Sequence, residues 1–120
     1  MSKKTLVIGA SENPERYSNK AIMALRSHQH EVIALAKREG QVNDVSIQTT
    51  FPATEQVHTV TLYLGPRHQT EYYNAIIKLN PERVIFNPGT ENPEFAAQLS
   101  ASGIKAEEAC TLVLLSIGNY

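Results

Sequence analysis

Leu6-Val7-Ile8-Gly9-Ala10-Ser11-Glu12-Asn13-Pro14-Glu15-Arg16-Tyr17-Ser18-Asn19 is the stretch around which the rest of the chain is read. Thr5 to Ile8 is a β-branched and aliphatic run without polar alternation, the pattern of a strand covered on both faces in a parallel sheet. Gly9 ends it where the chain must turn sharply, and Ala10 and Ser11 are small enough for a ligand to approach the backbone. A helix is expected next, capped by Ser18 or Asn19 and burying Ile22 and Leu25 with Ala21 and Ala24 beside them. A strand, a polar loop and a helix in that order can present backbone N–H groups and a helix N-terminus to a phosphate.

Working outward, Glu31 to Leu35 reads as a second strand, and a helix between two such strands implies a parallel pair with a right-handed crossover. From Ala36 to Gln56 the pattern fails. Gly40, Asn43, Asp44, Thr49-Thr50 and Pro52 interrupt it, so loop is expected there, with a short extended piece at Val45 to Ile47 and no full crossover helix. Val57 to Leu64 is the third strand read from the pattern, punctuated by Gly65-Pro66. Pro66 suits a first helical turn, and Tyr73, Ile76 and Ile77 with Tyr72 and Leu79 make an apolar stripe. Arg83 to Phe86 is the fourth strand, broken by Asn87-Pro88-Gly89. Asn92 as N-cap, Pro93 at the first helical position, Glu94 in the first turn and Gly103 beyond the end define the next helix, with Phe95 and Leu99 its buried pair. Ile104 to Ala106 is a short fifth strand, and Thr111 to Ile117 leans towards a short helix.

These elements describe an α/β, Rossmann-like open parallel sheet of about five strands with helices on both faces. A strand order of 3-2-1-4-5 would put a crevice at the carboxyl ends of the first and fourth strands, beside Gly9 and Asn87 to Gly89.

At 120 residues and 42% hydrophobic the chain suits one domain over residues 1–120, with no room for a separate substrate domain. The net charge of -1 comes from interspersed charges without a basic stripe, so nucleic acid is not an expected partner. Cys110 is the single cysteine, and Lys3-Lys4 runs straight into a short apolar segment without a signal pattern. No apolar run approaches the length that crosses a bilayer, so membrane is not an expected partner and a cytoplasmic setting is the default.

The dinucleotide fingerprint G-x-G-x-x-G is absent, because Ser11 stands at the second glycine and Pro14 at the third. Glu12 to Tyr17 instead form an extended segment able to lie over part of a ligand. Lys37 and Arg38 follow the second strand, where an acidic residue would suit a free ribose hydroxyl and basic residues suit a ribose phosphate. That disfavours NAD and leaves a 2′-phosphate, as in NADP, and a 3′-phosphate, as in coenzyme A, both open. His28, His30, His58 and His68 fall on different elements and lack metal-ligand spacing, so no metal is expected. No Ser-His-Asp set, paired-carboxylate site or P-loop lysine is present, so no catalytic residue is assigned. Tyr72 and Tyr73 read as core and interface rather than a stacking platform. Cys110 reads as a buried thiol or as one close enough to the cleft to exchange with a thiol-bearing ligand.

Val7-Ile8-Gly9-Ala10-Ser11 followed by Asn13-Pro14, Arg16 and Ser18 resembles the glycine-alanine-serine loop of the small stand-alone CoA-binding domain family. Those proteins look like the CoA-binding Rossmann domain of the succinyl-CoA synthetase alpha subunit without its catalytic parts. Glu31-Val32-Ile33, Gly89 and Cys110 extend the likeness over nearly the whole chain. The family usually has asparagine-proline and a basic residue after the second strand, where Ala36-Lys37-Arg38 stands here. It usually has tryptophan and glutamine before the glycine after the fourth strand, where Ile85, Asn87 and Pro88 stand here. Both departures fall on the outer wall of the cleft.

The resemblance implies a non-catalytic module that binds CoA or acyl-CoA. Ala10 and Ser11 N–H with the Ser11 and Ser18 side chains would hold the diphosphate, Arg16 would add charge, and Lys37 or Arg38 would reach the 3′-phosphate. Gly9, Ala10, Ser11, Asn13, Pro14, Arg16, Ser18, Lys37, Arg38, Asn87 and Gly89 are the expected binding residues. An NADP-binding redox or sensor domain and a protein-interaction module with an empty cleft are the alternatives. The small size and open sheet edge are compatible with a homodimer.

Overall fold

The computed structural model describes residues 2–120 and places β1 (Thr5–Ile8) in the middle of a seven-stranded sheet. All four β1 residues are buried, which is why the run carries no polar alternation. β2 (Val32–Leu35) lies parallel on one side of β1 and β5 (Thr59–Leu62) parallel on the other. Beyond β2 come β4 (Val45–Gln48), parallel, and β3 (Gly40–Val42), antiparallel to β4. Beyond β5 come β6 (Arg83–Phe86) and β7 (Lys105–Glu108), both parallel.

The Rossmann-like α/β architecture is as expected, but the sheet has seven strands rather than about five. The β3-β4 hairpin falls in the segment read mainly as loop. Three- and four-residue strands are too short for a period to show, and Asn43 makes the turn in the left-handed region, with φ 54°. The hairpin also changes the strand order. Counting only parallel strands in chain order, the sheet reads 3-2-1-4-5-6, with β4 in third place. The segment from Val57, expected as the third strand, is therefore the fourth and sits directly beside β1. The switch point of the sheet lies between β1 and β5 instead of between β1 and Arg83–Phe86.

Helices cover both faces. α1 (Tyr17–Ser27) and α5 (Thr111–Ser116) bring Ile22, Leu25 and Leu115 onto Val7, Ala34 and Ile85. On the other face, α2 (Pro66–Gln69), a 3-10 turn (Thr70–Tyr72) and α3 (Tyr73–Leu79) are followed in sequence by α4 (Pro93–Ala101). Tyr73, Ile76, Phe95 and Leu99 pack there with Leu6, Ile8, Val60, Leu62, Val84 and Phe86. Tyr73 and Phe95 stack at 4.2 Å, and Phe86 meets Phe95 edge-on at 5.9 Å. Asn92 caps α4 as expected, its Oδ1 accepting from the Phe95 N–H at 3.1 Å.

α1 departs from expectation. It begins at Tyr17, with Arg16 in the N-cap position and no side-chain cap, so neither Ser18 nor Asn19 caps it. Both are buried in the first turn, and Asn19 Nδ2 donates to the Ser11 carbonyl at 2.9 Å. The asparagine ties the loop down instead of closing the helix end.

At the amino ends of the strands, Tyr120 closes the sheet. Its ring lies 4.4 Å from the Arg83 guanidinium, its hydroxyl meets Thr5 Oγ1, and its main-chain oxygen accepts from Lys3 Nζ and Arg83 Nη2. The carboxyl ends stay open to solvent along the loops after β1, β2, β5 and β6. Among the described residues no helix is long and apolar enough to cross a membrane.

Candidate nucleotide cleft

Gly9 leaves β1 with φ 94°, a conformation that glycine tolerates and other residues resist. A side chain would not fit there either, since a Cβ would stand 2.9 Å from the Tyr63 carbonyl oxygen of the loop after β5. The loops after β1 and β5 thus run in backbone contact, at the sheet's switch point.

The backbone N–H groups of Gly9 and Ala10 both donate to the Leu35 carbonyl, at 3.0 and 3.2 Å. Ala10 N–H is therefore occupied and is not the phosphate donor expected from the sequence. The loop then folds on itself: Ser11 Oγ accepts from Asn13 N–H, Asn13 Oδ1 from Glu15 N–H, and the Asn13 carbonyl from Arg16 N–H. Asn13 and Pro14 shape this turn. Glu12 reaches sideways, its Oε2 accepting from Gln41 N–H at 2.8 Å, which fastens the loop to the β3-β4 hairpin.

The open donors lie one step further on. Among the described residues nothing accepts from the N–H groups of Tyr17, Ser18 and Asn19, the first turn of an eleven-residue helix without a side-chain cap or an acidic residue in that turn. Uncapped N–H groups and the positive end of a helix dipole attract an anion. Arg16, at the same helix start, is exposed and makes no ion pair among the described residues.

Arg16, Tyr17 and Ser18 border a recess of about 310 Å³ together with Gly9, Ser11, Glu15, Tyr63, Gly65, Gly89 and Thr90. Arg16 also borders a second recess, with Ala10, Asn13, Ala36, Lys37 and Arg38. The fold therefore gathers most of the expected binding residues around one guanidinium. Lys37 is already engaged: its Nζ meets the Glu71 carboxylate at 2.7 and 2.8 Å and lies 5.6 Å from the Tyr72 ring centre. The Glu71 hydrogen bond raises the Lys37 pKa. Arg38 is exposed, without an ion pair among the described residues.

Asn87 is set apart from the rest. It is buried, with Nδ2 donating to Thr61 Oγ1 and the Leu62 carbonyl and Oδ1 accepting from Thr111 N–H. Its amide joins β5, β6 and the start of α5, with both Nδ2 hydrogens engaged. Gly89, at φ 92°, does border the cleft, and its N–H is held by Glu91 Oε1.

Residues missed in the sequence complete the walls. Tyr63, Leu64 and Gly65 border the cleft because β5, and not β6, is the neighbour of β1. Gln69, fully buried, donates to the carbonyls of Leu64 and Thr90 at 2.9 and 2.8 Å and accepts from Asn92 Nδ2, binding the loops after β5 and β6 into one floor. A lone glutamine in a helix carries no signal of such a role, since only the arrival of two carbonyls from other loops creates it.

Residues 3–116 match the CoA binding domain family. The chain belongs to the CoA-binding domain family. A crystal structure of an uncharacterized protein is 46% identical, with a TM-score of 0.96 and coverage of 100% of this chain and 99% of that one. A Thermus thermophilus protein, cell-free ID.343, is 19% identical with TM-score 0.88, covering 99% and 91% of the two chains. A conserved hypothetical protein from Pyrococcus furiosus is 20% identical with TM-score 0.81, covering 92% and 97%. The last two show the fold. No curated protein matches the chain significantly.

Proposed function

We propose that this chain is a single-domain module that binds CoA in the cleft between the loops after β1, β2, β5 and β6, without reaction chemistry of its own. The observation that carries this is the set of three N–H groups at Tyr17, Ser18 and Asn19 that, like the Arg16 guanidinium beside them, have no partner among the described residues. Together with Ser11 and Ser18 they suit a diphosphate: N–H donors converge, the helix dipole is favourable, and the charge comes from a guanidinium able to bond two oxygens. Arg38, in the recess shared with Arg16, would meet the ribose 3′-phosphate in this reading, because Lys37 is held by Glu71.

A thermal-shift titration tests the reading. CoA at one hundred times its dissociation constant stabilises a fold that binds it by roughly 2.7 kcal/mol, which moves the melting temperature by several degrees. Dephospho-CoA should shift it less. A shift with NADPH and none with CoA or acyl-CoA would replace CoA by a 2′-phosphorylated dinucleotide.

A further inference from the structure

Ser11 and Arg16 also border a third recess, of about 380 Å³, walled by Ala36-Lys37 after β2 and by His68, Glu71 and Tyr72 in the helical turns after β5. Glu71 is the one carboxylate on its border, and it is joined to the one lysine there. Lys37 Nζ donates to Glu71 Oε1 and Oε2 at 2.8 and 2.7 Å, and the ammonium lies 5.6 Å from the centre of the Tyr72 ring. Tyr72 in turn stacks on Phe51, in the loop after β4, at 6.5 Å. The ion pair therefore ties two walls of the recess together, with an aromatic ring beside the ammonium.

Three cations border the space next to Ser11: Arg16, Lys37 and Arg38. Arg16 and Arg38 make no ion pair among the described residues, whereas Lys37 is neutralised from the opposite wall. An anion entering there must draw Lys37 away from Glu71 or bind without it, and either course weakens binding relative to a free ammonium. The fold itself gains little from the pair. The Lys37 and Glu71 side chains are 74% and 53% exposed, and an ion pair in such surroundings adds little stability. The consequence of the pair falls on ligands.

We infer that Glu71 sets the affinity of the cleft for phosphate-bearing ligands, by holding Lys37 back from a phosphate contact that Arg16 and Arg38 have no internal partner to prevent. Glu71 is thus a positioning residue, acting through Lys37. This rests on the CoA reading above and adds to it a residue that tunes affinity.

Calorimetric titration of the wild type, Glu71→Gln, Lys37→Ala and the double variant with 3′,5′-ADP and CoA tests it. Glu71→Gln should bind CoA roughly two- to five-fold tighter than the wild type, the strength of one exposed ion pair expressed as affinity. The gain should vanish without Lys37, so that the double variant binds CoA as Lys37→Ala does, a coupling that a purely structural role would not produce. The ligand-free melting temperature of Glu71→Gln should match the wild type. An unchanged or weakened CoA affinity in Glu71→Gln, a gain of the same size in the Lys37→Ala background, or a clearly lowered ligand-free melting temperature each overturn the inference while CoA binding stands. Failure of the wild type to bind both 3′,5′-ADP and CoA overturns the CoA reading and the inference with it.

Discussion

The side chain of Glu12 occupies the space that a side chain at Gly40 would need. A Cβ on Gly40 would stand 2.6 Å from Glu12 Cγ, and Glu12 crosses that gap to accept from Gln41 N–H. The loop after β1 is thereby fastened to the edge hairpin, whose turn α1 also holds through Arg26 and Asp44. Gly40→Val should push the flexible glutamate aside and free the loop. Amide exchange at Gln41 should then accelerate and CoA affinity fall several-fold, with little change in melting temperature, since the displaced group is an exposed side-chain end. Hydrogen exchange at Gln41 that matches the wild type would show that the contact does not hold the loop.

Gly9→Ala carries a backbone penalty at φ 94° and a clash with the Tyr63 carbonyl that no side-chain motion relieves. The expected loss is about 3 kcal/mol of unfolding free energy, from strain and overpacking together. Urea unfolding should show a lower midpoint with an unchanged slope.

Arg16 and Lys37 should separate when each is replaced by alanine. Arg16 makes no side-chain ion pair among the described residues, so its loss should leave melting unchanged and weaken CoA roughly ten- to one hundred-fold, as expected of a charge-assisted bond to phosphate. Lys37 is held by Glu71, and its loss should change CoA affinity far less. A larger effect at Lys37 than at Arg16 would move the phosphate site from the start of α1 to the end of β2.

His30 is buried and accepts from Lys3 N–H through Nδ1, and burial is the main reason its pKa is lowered from 6.5. The folded protein therefore binds fewer protons at this site than the unfolded chain does in the window just below pH 6.5. Stability is complete above that pH and declines as the pH falls through the lowered folded value. Melting temperatures from pH 7.5 to 5 should fall on the acid side, and His30→Asn, which keeps an acceptor, should flatten part of that fall. An identical pH profile in the variant would assign the decline to other groups, His58 among them, whose pKa burial also lowers.

Local chemistry makes the central elements legible. A run of buried aliphatics such as Leu6 to Ile8 has one comfortable environment, and Asn92-Pro93-Glu94 has one comfortable conformation, so both appear in the structure where their residues imply. The Gly9 turn is legible for the same reason, since the demand for a positive φ belongs to the residue itself. The membership of Gly9, Ser11, Arg16, Ser18 and Gly89 in one cleft follows once parallel strands bring their carboxyl ends together.

What only the tertiary structure decides is who already has a partner. Ala10 looks like a free donor until the Leu35 carbonyl arrives beside it, Lys37 like a free cation until Glu71 does, and Asn87 like a free donor until Thr61 and Leu62 take its amide hydrogens. Hydrogen-bond saturation depends on groups 20 to 50 residues away, brought near by strand order, and here a short hairpin without a detectable period set that order. The loop from Leu6 to Asn19 reads as a candidate anion site from its own residues, whereas which of its donors and cations already have partners was settled by the rest of the fold.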